Sequence, residues 1–119
     1  MSNESQAGEF AKFDLPEFLE RVRASDHGST GRLTTPLLSL PGLRLMLVSM
    51  RSGASWPQHS TPGRITVQPL AGEIRMRACE KEISLHVGSV AAFAAGVPHD
   101  VVAVSDAVFL LTVARPNLD

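Results

Sequence analysis

Thiols are nearly missing from this chain. Cys79 is the only cysteine, which excludes a disulfide or a thiolate-rich metal site within one molecule. Its surroundings, RACEKE, hold nothing that marks an activated nucleophile, so Cys79 reads as inert. Basic runs are missing too. With 11 Lys and Arg against 12 Asp and Glu, the net charge is −1, and no cationic stripe is long enough to follow a phosphate backbone, so no nucleic-acid partner is expected. No segment approaches the roughly 20 unbroken apolar residues of a membrane helix. The start, MSNESQAGEFAKFD, carries Glu4, Glu9 and Asp14 where a secretory signal would be basic and then apolar. No membrane partner is expected, and the expected location is cytoplasmic. A Gly-rich phosphate loop, a G-x-S-x-G serine and a CxxC pair are also absent, which removes the chemistries that need them.

What is present fits one folded unit, since 119 residues can bury one core and not two. Residues 1–32 read as an arm and a short amphipathic helix, and residues 33–119 as a β-barrel domain. Asp14-Leu15-Pro16-Glu17 sets an N-cap, a proline in the first turn and an acid three residues after the cap. Leu15, Phe18, Leu19 and Val22 follow at helical spacing, which predicts a helix to about Ala24. SDHGSTG then breaks it and places His27 in an exposed turn.

From Leu33 the period shortens to two. TTPLLSL, LRLMLVSM, RITVQPL, EIRMRAC, EISLHV, SVAAF, DVVAV and AVFLLTV are β-rich runs divided by Gly, Pro and Asp turns. They predict an all-β antiparallel sandwich or barrel of eight strands with the helix appended. Two runs are apolar on both faces. Leu43, Leu45 and Leu47 alternate with Met46, Val48 and Met50, and Ala107, Phe109, Leu111 and Val113 alternate with Val108 and Leu110. A second apolar face needs a cover. The helix supplies part of it, and a second subunit packed sheet to sheet is expected to supply the rest, giving a homodimer.

Chemistry concentrates at two places. GASWPQHSTPGRITVQPLAG runs from Gly53 to Gly72 as an expected hairpin with His59 near its start, and Gly88, Gly96 and His99 recur downstream. These spacings resemble the two signature stretches of the cupin superfamily. The first runs glycine, five residues, His, one residue, His, three or four residues, Glu, six residues, glycine. The second runs glycine, five residues, proline, one residue, glycine, two residues, His, three residues, asparagine. Gly53, His59 and Gly72 match the first, and Gly88, Gly96 and His99 the second, with Ala94 and Ala103 in place of its proline and asparagine. The resemblance spans Leu33 to Val113 and implies a double-stranded β-helix, the cupin jelly-roll barrel.

The same resemblance implies a divalent transition metal (Fe, Ni, Mn or Zn) held by three His and one Glu, with dioxygenase, isomerase or decarboxylase chemistry on a small organic molecule. Residues two apart on a strand point the same way, so a His-x-His pair can face one ion. Here Thr61 stands at the second His, and Ile65 or Thr66 at the Glu, depending on the spacing counted. His59 and His99 remain, and two imidazoles leave an ion short of protein ligands. Gln68 is the candidate third ligand. It faces the barrel if Thr66 does, and away from it if Ile65 and Val67 do. Asp100 lies on the other face of its strand and could support His99 from behind.

The expected function is therefore a metal-binding cupin using His59, His99 and Gln68 or water, acting on a small organic ligand. The alternative is a barrel that binds or senses a small molecule without metal, with the histidines as hydrogen-bonding groups. The lost carboxylate favours the alternative, since it removes both charge for the ion and a candidate base. His86 reads as exposed, Arg75 and Arg77 as a solvated face that could also take a carboxylate, and Trp56 as loop packing or a lid at the barrel mouth. No DNA-binding helices follow the last strand before Asp119, so direct transcriptional regulation is not expected.

Overall fold

The computed structural model describes residues 10–115. Residues 1–9 of the expected arm lie outside them. One helix, α1 (Leu15–Ala24), precedes nine strands: β1 (Arg32–Leu40), β2 (Leu43–Met50), β3 (Ser55–His59), β4 (Arg64–Ala71), β5 (Glu73–Ala78), β6 (Lys81–His86), β7 (Ala91–Phe93), β8 (His99–Ala103) and β9 (Ala107–Ala114). The helix ends where its apolar spacing ends. Its start differs from the expected cap: the Asp14 side chain caps nothing, and the Glu17 N–H donates to the Asp14 carbonyl at 3.2 Å. Pro16 has no N–H to offer at the position between them.

The strands form two antiparallel sheets, a five-stranded one in the order β1-β2-β9-β4-β7 and a four-stranded one in the order β3-β8-β5-β6. This is the expected jelly-roll barrel with its N-terminal helix, but Gly53 to Gly72 is not a hairpin. β3 pairs with β8, β4 pairs with β7 and β9, and the two belong to different sheets. The chain between Gly53 and Gly72 therefore crosses the barrel. β3 is also the strand missing from the sequence reading, because SWPQH has neither alternation nor a β-branched run.

Between the sheets, alternate residues meet in one core. Val48 and Met50 of β2, Phe109 and Leu111 of β9, Ile74 and Met76 of β5 and Val101 of β8 are all buried there. The opposite face of the five-stranded sheet carries its own cluster, in which Phe18 and Val22 of α1 pack on Leu37, Leu47 and Val108. Burying the two helix side chains is worth roughly 1.5–3 kcal/mol each, and it fixes α1 to the barrel. The helix thus covers this face over Leu47 and Val108, the part expected of it, while Leu40 and Leu43 at its end stay exposed.

His27 is not in an exposed turn. It is only 6% exposed, donating from Nδ1 to the Ser25 carbonyl at 2.8 Å and accepting at Nε2 from the Ser49 hydroxyl at 2.7 Å. Both ring nitrogens are therefore satisfied, as burial requires. The turn signal in SDHGSTG is sound locally, but the partner that buries His27 lies 22 residues away on β2.

Candidate functional site

One end of the barrel is where the inward rows change character. On β3 the register slips between Trp56 and His59, which oppose Val101 and His99 of β8. Between these pairs two residues of β3, Pro57 and Gln58, stand against one of β8, Asp100. Without that bulge, positions three apart would point to opposite faces; with it both rings turn inward. Pro57 sits within it on an edge strand, where its missing N–H breaks no ladder. The Trp56 and His59 rings stack at 4.5 Å between centroids, with the Arg32 guanidinium 4.9 Å over the outer face of the indole. Trp56 is in this way a fixed wall of the mouth.

His99 opens β8 directly opposite His59, and their rings meet edge to face at 4.4 Å. Phe93 stacks on the far side of His99 at 5.3 Å. Each imidazole is anchored through the carbonyl two residues before it: Nδ1 of His59 donates to Pro57 at 2.8 Å, and Nδ1 of His99 to Val97 at 2.9 Å. A carbonyl accepts only, so Nδ1 carries a proton in both rings, and in a neutral ring Nε2 is the nitrogen with the lone pair.

Both histidines line a cavity of about 290 Å³ with Trp56, Thr61, Ile65 and Met46. His59, Thr61, Ile65 and His99 thus share one space, and of the two spacings weighed for the carboxylate position the one ending at Ile65 faces inward. The Thr61 hydroxyl already donates to the Gly63 carbonyl at 3.0 Å. Gln68 is not brought to the site. It is exposed, on the face of β4 opposite to buried Ile65 and Val67, because the alternation that turns those two inward turns Gln68 out. Among the described residues, no three His, Cys, Asp or Glu side chains gather where they could hold a metal ion.

Two residues of this cavity escaped the sequence reading. Arg44 and Arg115 line it with Leu111 and Val113, and among the described residues no acidic side chain does. The signal was the parity of the strands. Arg44 continues the inward row of Met46, Val48 and Met50, and Arg115 that of Phe109, Leu111 and Val113. Elsewhere, His86 is exposed as expected. Arg75 and Arg77 lie on the solvated face of β5, with Nε 4.0 Å from Glu82 and 3.6 Å from Asp100 respectively. Exposed pairs of that length contribute little.

Solved structures similar to this chain agree with this topology. The TT1209 protein of Thermus thermophilus is 26% identical over 88% of this chain and 98% of its own, with a TM-score of 0.69. A conserved protein of unknown function from Streptococcus pyogenes is 26% identical over 75% of this chain and 78% of its own, also at 0.69. A cupin superfamily protein from Desulfitobacterium hafniense is 19% identical over 70% and 76%, at 0.67. The fold is the cupin fold. No protein-family model and no curated protein matches the chain. Of the four cupin ligand positions recognised in the sequence, all of which line one cavity here, two are imidazoles, one is a hydroxyl and one is a hydrocarbon.

Burial lowers the pKa of His99 below the ordinary value of 6.5, and His59 adds to this, while the bond to Val97 and the charge of Asp100 act the other way without reversing it. The unfolded chain then takes up a proton near pH 6.5 and the folded chain only at lower pH. Across that interval the unfolded state binds more protons, so stability falls as the pH falls. Denaturant midpoints taken from about pH 7.5 down to about pH 5 should show a decline that is shallower in His99→Phe, and equal slopes would refute it.

Proposed function

We propose that this cupin binds a small organic molecule in the His59/His99 cavity without a resident transition metal. The donor set carries the reading: two imidazoles, a committed hydroxyl, Ile65 at the carboxylate position and two arginines in the lining. A divalent ion in such a place would have two protein ligands where a catalytic zinc normally has three. It would also lie in a lining that holds Arg44 and, among the described residues, no acidic side chain. The apolar walls supply contact area, and the Nε2 lone pairs supply direction, as ligand pockets generally divide the work.

One observation favours a second reading. Nδ1–H anchoring to a carbonyl is the arrangement that orients a metal-binding histidine, so two imidazoles completed by water form the rival site. Elemental analysis of the tag-free protein, before and after incubation with iron, nickel, manganese and zinc salts, separates the two. The metal-free reading expects far less than stoichiometric metal throughout and ligand binding indifferent to chelator. Near one equivalent retained by the wild type and lost in His59→Ala/His99→Ala would overturn it.

A further inference from the structure

We propose that the ligand of this cavity is a small neutral phenol, its O–H donated to Nε2 of His99 and its ring set against the apolar walls. The inference rests on the metal-free reading of the cavity and adds the class of ligand. It starts from the anchored rings. Nδ1 of His59 and Nδ1 of His99 each donate to the carbonyl two residues before, so in the neutral ring the second nitrogen, Nε2, can only accept. Burial favours that neutral ring at His99. Nε2 of His99 has no hydrogen-bond partner among the described residues. It is nonetheless within reach of a water-sized molecule, although His99 is only 4% exposed, and the space it opens on is the cavity that the residue lines.

The neighbours of His99 narrow the group that fits. The Thr61 hydroxyl gives its proton to the Gly63 carbonyl, so His59, Thr61 and His99 offer lone pairs and no spare proton, and Ile65 offers neither. A carbonyl or ether oxygen facing His99 would set lone pair against lone pair, and a buried polar group left without its hydrogen bond costs roughly 1–3 kcal/mol. A hydroxyl removes that cost. An ammonium would donate as well, but the lining holds Arg44 and, among the described residues, no acidic side chain, so a cation would meet a like charge. Among neutral hydroxyls a phenol suits the site best. Its oxygen shares electrons with the ring, so it donates strongly and accepts weakly, and with a pKa of about 10 it is uncharged at neutral pH. Its flat body matches the remaining walls, Met46, Trp56, Ile65 and Leu111. At about 290 Å³ the space lies at the small end of ligand pockets, which run from about 300 Å³ upward, and suits a single ring rather than a fused system.

The test is binding by calorimetry or ligand-observed NMR at pH 7.5 of phenol and 4-methylphenol, each beside its methyl ether, with benzylammonium as the charged donor. At least one phenol should bind, and its ether about 10- to 100-fold more weakly. Benzylammonium should bind no better than the ethers. In His99→Phe the phenol should fall to the level of its ether, while the ether keeps its wild-type affinity. An ether or benzylammonium that binds wild-type protein as tightly as the phenol, or a His99→Phe variant that still prefers the phenol to its ether, would overturn the phenol assignment and leave the cavity a ligand site. Failure of every compound to bind would overturn the assignment too, and elemental analysis of the same preparation then separates the two readings: a retained equivalent of metal overturns the metal-free reading as well, and its absence confines the failure to the phenol.

Discussion

Gly72→Ala is expected to lower the midpoint of thermal unfolding by roughly 10–20 °C. Gly72 is the single residue between β4 and β5, where the chain leaves the five-stranded sheet for the four-stranded one. It packs against the corner at which β8 hands over to β9 and the chain returns. Its φ is +75°, and a methyl group there would strike the Asp106 carbonyl oxygen and lie 2.8 Å from Ala107 Cα. Both obstacles are backbone, and the second corner is held in place. The Glu73 N–H donates to the Ser105 hydroxyl at 3.1 Å, and the Val104 N–H to the Glu73 carbonyl at 2.9 Å.

Left-handed strain costs about 1–3 kcal/mol and overpacking about as much again, so the sum is about 3–4 kcal/mol. Gly88→Ala is the control. Its φ is +101°, yet nothing lies within 4 Å of an added methyl, so it should lose only the conformational part, about 1–2 kcal/mol. Equal losses in the two variants, read by calorimetry, would refute the account of packed corners.

Gly72 also illustrates what the sequence disclosed. Glycine and histidine spacings identified the barrel because Gly53, Gly72, Gly88 and Gly96 all turn the chain at positive φ, with close packing besides at Gly72, and that constraint leaves its mark on residue identity. Alternation did the same for the core: Met46, Val48 and Met50 point inward as their parity demands. Arg44 and Arg115 share that parity and are just as legible, but a charge at the end of an apolar row reads as the end of the row. What could not be read were features set by distant partners. The inward turn of Trp56 and His59 together depends on a bulge against β8, and His27 is buried by Ser49. Gln68 was decided by the choice between two spacings, and only the burial of Ile65 resolves it.

Replacement of His99 by alanine is expected to cost about 3 kcal/mol, and replacement by phenylalanine much less, while both variants lose the ligand. His99 is only 4% exposed and is wedged between Phe93 and His59 with Nδ1 on the Val97 carbonyl. Alanine removes both ring contacts and the hydrogen bond, and it leaves a void that packed neighbours fill only in part. Phenylalanine keeps the ring between its neighbours and gives up the hydrogen bond alone, a loss nearer about 1 kcal/mol. His59 is half-buried and stacked on Trp56, so His59→Ala should cost about 1 kcal/mol.

The phenylalanine variant carries the functional weight, because a purely structural His99 would tolerate it in every assay. If His99 serves the cavity through its Nε2 lone pair, His99→Phe folds and fails to bind, since no carbon of the new ring accepts a hydrogen bond. Denaturant midpoints measured beside ligand affinity for wild type, His99→Ala and His99→Phe give both readouts. A His99→Phe protein that still binds a ligand of the cavity with wild-type affinity would reduce the imidazole to packing.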